Sequence, residues 1–185
     1  MKPTKPKEKK IYRWKFLRKG LKSENGNLKW KKNKWNKVTG KLSICNWGLH
    51  CSKKPYDAFS FIQGEILAKV ECRGKHLIED DKECWQEQRV VKAYKWTKKD
   101  SVKLAIYSAK LVLPIFEKEY PDDKQPRQAI AAAIKWLKNP SKKNKDAAWA
   151  AAETARDAAW AAAEAAAIKK IQRYFNKLVK ELKPL

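Results

Sequence analysis

Between Ile11 and Trp96, apolar and polar residues alternate over short runs: IYRWKFL, LKWKKNKW, KLSIC, EILAKVEC and QRVVKAY. β-Branched and aromatic residues recurring at a period near two predict strands of a half-buried sheet. Gly20, Asn25-Gly26, Gly40, Gly64 and Gly74 stand between these runs and are expected to turn the chain. One segment breaks the alternation: KPYDAFSFI, from Lys54 to Ile62, reads as a short helix entered through Pro55. After Trp96 the period lengthens. Val102, Ala105, Ile106, Ala109, Val112, Leu113 and Phe116 fall on one helical stripe, with Asp100 or Ser101 as its cap. Pro114 inside that stripe predicts a kink or an early end. YPDDKQP is a loop, and a second helix starts around Pro126 and runs to Asn139-Pro140. The last element is expected to be helical from Asn144 to Leu182.

The pattern therefore predicts an α+β fold: a small mixed-sheet domain at residues 11–96, then an all-α, Ala-rich helical module at 97–185. That module has three helices, the last one long, and residues 1–10 form a disordered basic tail. The last helix contains a direct repeat, DAAWAAAETAR (Asp146 to Arg156) followed by DAAWAAAEAAA (Asp157 to Ala167). Its period makes about three helical turns, so Trp149 and Trp160 share a face, as do Glu153 and Glu164. Of the 21 residues from Ala147 to Ala167, 14 are Ala, a slim surface that neighbouring helices can approach closely. The same surface can pair with a second copy, giving a homodimer.

Charge changes the picture more than composition does. The 185 residues carry 44 Lys and Arg against 20 Asp and Glu, net +24, and 43% hydrophobic residues suffice for a core. Residues 1–41 alone hold 16 basic side chains and two acids, Glu8 and Glu24. Such an excess points to a polyanionic partner, DNA or RNA, free or in a nucleoprotein complex, because each cation meeting a phosphate releases condensed counterions. Arg13, Lys15, Arg18, Lys19, Lys29, Lys31, Lys32, Lys34 and Lys37 are the expected phosphate contacts, and the interleaved Trp30 and Trp35 are candidates for base stacking. The plainer alternative turns those indoles into the core and the lysines to water.

No apolar run approaches the about 18 residues of a membrane span, and the Lys-rich start lacks the apolar stretch of a signal peptide. A cytoplasmic protein without a membrane partner is expected, and four Cys without a dense framework suit a reducing compartment. Cys72 and His76 form the one pair at zinc-like spacing, without a second pair to complete a site, so neither a metal nor a cofactor is expected. Asp57, Glu71 and Arg73 give only a loose nuclease-like arrangement, while Asp80, Asp81 and Glu83 read as a solvated turn. Neither a P-loop nor GxSxG occurs.

CNWGLHCSKKPYDAF, GEILAKVECRG and DDKECWQEQRVV together resemble an uncharacterised domain found mostly in phage and prophage proteins. The resemblance spans residues 11–95 and is carried by Gly48, His50, Ser52, Pro55, Asp57, Val70, Glu71, Gly74, Asp80, Asp81 and Lys82. It implies no particular activity. LVLPIFEKEYPDDKQPRQAIAAAIKWL, from Leu111 to Leu137, resembles the immunity-protein-five-like domain through Leu113, Phe116, Glu117, Tyr120, Pro121, Asp123, Pro126, Arg127 and Ala129. That resemblance implies an inhibitory or protective module binding a protein partner in a conflict system, not a catalyst. Together they suggest a phage or prophage accessory protein, an anti-defence (anti-CRISPR-like) factor acting in the cytoplasm of a bacterial host. The GLHCS strand, the opening YR strand and the late acid are also similar to ADP-ribosyltransferase folds. There Arg13, His50 and Ser52 would hold NAD and Glu87 would polarise the ribose hydroxyl. Gln86 and Gln88 flank that carboxylate, which suggests a degenerate, noncatalytic relative.

Overall fold

The computed structural model describes residues 10–62, 64–140 and 165–185. The basic tail up to residue 9 and most of the Ala-rich repeat, with Trp149, Trp160, Glu153 and Glu164, lie outside the described residues. The fold is α+β. After Trp96 the chain passes into a second unit, Thr97–Glu181, and Leu182–Leu185 belong again to the first.

The first unit contains β1 (Ile11–Leu17), β2 (Asn36–Lys37), β3 (Leu49–Cys51), α1 (Pro55–Phe61), β4 (Ile66–Ile78) and β5 (Glu83–Lys95). The sheet runs β1-β4-β5-β2, with β3 also paired to β5, and every ladder between these strands is antiparallel. Parallel pairing among the described residues is confined to the bridge between Lys32 and Val90. A tight turn over Asp80-Asp81, closed by the Glu79 N–H donating to the Lys82 carbonyl at 2.8 Å, joins β4 to β5. The sheet curls: Ser52, just past β3, exchanges two backbone hydrogen bonds of 2.8 Å with Trp14 on β1.

β5 has a second edge, and four segments cover it in turn. β3 pairs along 83–85, β2 along 87–88, Lys32 at Val90, and the returning tail at Ala93 and Lys95. An uncovered edge would present free N–H and C=O groups to other chains. The tail residues, read from the sequence as the end of the helical module, pair instead with β5: the Leu185 N–H donates to Ala93 at 2.9 Å and the Lys95 N–H to Lys183 at 3.0 Å.

Two expected features are corrected. Gly74 does not end a strand; it sits inside β4 at φ +84, where the register with β5 shifts between Arg73 and His76, a bulge. LKWKKNKW and KLSIC form no strand and only isolated bridges at Lys29, Lys32 and Ser43, while the short β2 lies between them. Leu21, Asn33 and Cys45 take left-handed φ values of 58, 61 and 67, which interrupt extended backbone. Inside the sheet, Leu17, Ala68, Val70, Trp85 and Val90 pack with Trp30 as one core. Phe16, Phe59 and Trp96, with ring centroids 5.4 to 5.7 Å apart, seat α1 against the sheet.

The second unit contains α2 (Lys98–Glu119), α3 (Gln125–Lys138) and α4 (Ala165–Glu181). Thr97, rather than Asp100 or Ser101, caps α2: its extended backbone frees the hydroxyl to accept the Asp100 N–H, and the Asp100 carboxylate accepts the Thr97 N–H at 2.8 Å. α2 also continues through Pro114. Arg127 forks onto Glu117 at 2.6 and 2.7 Å and ties the start of α3 to the end of α2 across the YPDD loop. Ala109 and Ala133 let these helices close on Ile130, Val102 and Trp136, and Tyr107 stacks on Tyr174 of α4 at 4.0 Å.

Candidate polyanion-binding surface

Period-two alternation splits β1. Arg13, Lys15 and Leu17 turn to one face of the sheet, and Tyr12, Trp14 and Phe16 to the other. Lys15 is 9% exposed; its ammonium donates to Gln88 Oε1 at 3.3 Å and lies 4.0 Å from the centroid of the Trp30 ring. Trp30 is 2% exposed and its indole donates to the Ser23 hydroxyl at 2.9 Å. Expected as a phosphate contact and a stacking ring, these two side chains instead pack against each other in the core. Arg13 is likewise committed: its Nε donates to Glu83 Oε2 at 2.6 Å, and the same oxygen accepts the Trp85 indole N–H at 2.7 Å. Glu83 was expected in a solvated turn; it is buried and anchors both groups. The signal was available, since Glu83 stands two residues before Trp85 on one strand.

Burial pushes the Lys15 ammonium down from 10.5 to about 8, against a smaller upward pull from Cys51, Cys72 and Cys84. Between those two pH values the unfolded chain binds the extra proton, so this group's contribution to stability is complete above pH 10.5 and is lost as pH falls to about 8. Relative to a Lys15→Met variant, the native chain should therefore gain up to about 1.4 kcal/mol of stability per pH unit across that window. Denaturant melts at several pH values measure this, and a constant difference would place Lys15 in water.

The remaining front-end cations are outside. Lys19, Lys29, Lys31 and Lys34 are exposed and without an ion-pair partner among the described residues. Arg18 pairs with Glu24 at 3.1 Å, Lys37 with Glu87 at 3.5 Å, and Lys32 donates to the Leu185 carbonyl at 2.8 Å. Bridges from Arg18 to Lys22, from Lys22 to Lys29 and from Lys32 to Val90 hold residues 18–34 as a lobe pinned by Trp30. Trp35 is half-buried under two guanidiniums, Arg73 at 3.9 Å and Arg89 at 4.9 Å from its centroid.

Arg13, His50, Ser52 and Glu87 are not brought together as an NAD site would require. His50 Nε2 accepts the Cys45 N–H at 3.0 Å, and burial, then the charges of Lys15 and Lys82, push its pKa down, so the ring stays neutral. Ser52 is buried beside Trp14. Glu87 lies on the face opposite Arg13, where the Arg73 hydrogen bond at 2.8 Å, with Lys37 nearby, holds its carboxyl below the usual range. Cys72 is buried with its sulfur 3.9 Å from Cys51, whereas His76 is exposed and stacks on Trp85 at 4.1 Å. No cluster of three ligand-type side chains occurs among the described residues. Of the loose nuclease set, Glu71 pairs with Arg89 at 2.8 Å, Arg73 with Glu87, and Asp57 lies in the first turn of α1. An open cleft of about 870 Å³ lies between Gly40–Leu42 and Gly74–Leu77 and includes none of these residues except His76. Among the described residues no helix is long and apolar enough to cross a membrane.

Comparison with curated proteins and with solved structures gave no match. Residues 11–100 match the model of a family described as a domain of unknown function, DUF7666. Residues 93–170 match the family described as "Imm-5 like putative immunity protein". The chain thus joins a sheet-bearing part similar to one family to a helical part similar to another, the two matches overlapping at residues 93–100.

Proposed function

We propose that the protein is a noncatalytic binder of nucleic acid or of a nucleoprotein complex, held through the cationic lobe at residues 18–34. The observation that carries this reading is the set Lys19, Lys29, Lys31 and Lys34, exposed and without acidic partners among the described residues, on backbone fixed by the buried Trp30. Unpaired ammonium groups on an ordered scaffold lose little on meeting phosphates and release counterions as they do. Reversing Lys29, Lys31 and Lys34 to Glu tests the reading without touching the core. Binding should weaken for every sequence, and the slope of log K against log salt should flatten by about 2.1 on a single strand or about 2.7 on a duplex if all three meet phosphates. An unchanged slope rejects the lobe as the contact.

A second reading is favoured by the match at residues 93–170: an immunity or inhibitor protein whose helical unit binds a protein target. Either activity suits an accessory factor in conflict between phage and host. Affinity purification of the full chain with and without nuclease separates them. A single protein retained at fixed stoichiometry after nuclease favours inhibition; loss of all partners favours the nucleic-acid reading.

A further inference from the structure

The outward face of the sheet carries groups that the lobe does not use. Cross-strand register pairs Tyr12 with Glu71, Trp14 with Lys69, Lys69 with Lys92 and Glu71 with Arg89, which sets these side chains on one surface. Tyr12 is 39% exposed and Trp14 is half-buried. Two residues apart on β1, they stand about 7 Å from one another, twice the about 3.4 Å rise of stacked bases, so a flat ring can lie on each. The Lys69 ammonium sits 4.9 Å from the Tyr12 centroid and 5.8 Å from that of Trp14, and Tyr94 extends the row, 6.3 Å from Trp14.

The charge of this face is one-sided. Its acids, Glu71 and Glu87, are each held at 2.8 Å by an arginine, Arg89 and Arg73. Lys69 and Lys92 have no ion-pair partner among the described residues. An exposed and a half-buried ring beside uncompensated cations are complementary to a polymer that offers both flat bases and phosphates. A duplex keeps its bases stacked inside and away from such rings; only an unpaired strand presents them.

We propose that this face is a stacking platform for single-stranded nucleic acid, with bases on Tyr12 and Trp14 and phosphates against Lys69 and Lys92. The proposal rests on the nucleic-acid reading above and adds to it a second contact surface and a strandedness. The test uses the full chain with a labelled oligothymidylate, an oligouridylate and a duplex of equal length. Tyr12→Ala is expected to weaken binding of at least one single strand about tenfold and to leave duplex binding unchanged, while Tyr12→Phe restores it. Intrinsic Trp fluorescence should be quenched as the single strand binds the native chain. Single-strand binding without quenching, or indifferent to Tyr12→Ala, overturns the platform. If in that case the Lys29, Lys31 and Lys34 reversal still weakens binding, the lobe reading survives alone; absence of binding to all three polymers removes both. Should Tyr12→Ala fail to fold, Lys69→Gln takes its place with the same expected loss for single strands.

Discussion

Glu83→Ala is expected to destabilise the sheet unit by about 3–5 kcal/mol, because it strands a largely buried guanidinium without its counter-charge. The Glu83 side chain is 4% exposed and its Oε2 accepts from both Arg13 Nε, at 2.6 Å, and the Trp85 indole, at 2.7 Å. Arg13 retains only its donation to the Tyr12 carbonyl at 2.9 Å and a contact with the Trp85 ring at 6.0 Å. Since Arg13 lies on β1 and Glu83 at the start of β5, the pair spans strands that are not hydrogen-bonded to each other. Glu83→Gln keeps an oxygen acceptor and should cost less than Ala. A double variant, Arg13→Met with Glu83→Leu, removes both charges and should recover the part of the loss due to the unpaired guanidinium, while the Trp85 indole stays without its acceptor. Urea unfolding followed by Trp fluorescence gives all three values. A cost below about 1 kcal/mol for Glu83→Ala would mean the pair is as weak as a solvated one.

The elements legible in the sequence were those whose period was undisturbed. IYRWKFL alternates cleanly and is β1; Pro55 and Pro126 mark helix starts; the apolar stripe from Val102 to Phe116 lies on α2. Legibility failed where a polar residue turned inward. Lys15 and Glu83 occupy buried positions on their strands, and the partners that make burial tolerable, Gln88 and Arg13, are distant in sequence. Of the two readings open for Trp30, binding ring or core residue, the structure shows the core one: it stands between two exposed lysines and faces the opposite way. Nothing local foretells that residues 183–185 return to β5, since that pairing is set by the edge it covers and not by its own pattern.

Gly48→Ala should cost about 3 kcal/mol or more, from left-handed backbone strain and a steric clash together. Gly48 holds φ +135, and a Cβ there would stand 2.1 Å from Cys84 Sγ and 3.1 Å from Leu42 Cδ2. The sulfur has little freedom to yield, because the Cys84 thiol is buried and donates to the Trp47 carbonyl at 3.2 Å. Displacing Gly48 shifts β3, which follows at Leu49, and so uncovers the start of β5 and strains the Ser52–Trp14 bridge that closes the curled sheet. Soluble yield should fall along with stability, since an opened β5 edge can pair with another chain. In a Cys84→Ala background the clash with sulfur is gone and only the φ penalty and the Leu42 contact remain. There the same substitution should cost about 1–2 kcal/mol, a coupling of at least about 1 kcal/mol between the two sites. Equal costs in both backgrounds would refute the close approach. The expected coupling assigns GLHCS a physical role: its glycine admits a sulfur, His50 accepts a backbone N–H and Ser52 joins β3 to β1, so the motif closes the sheet.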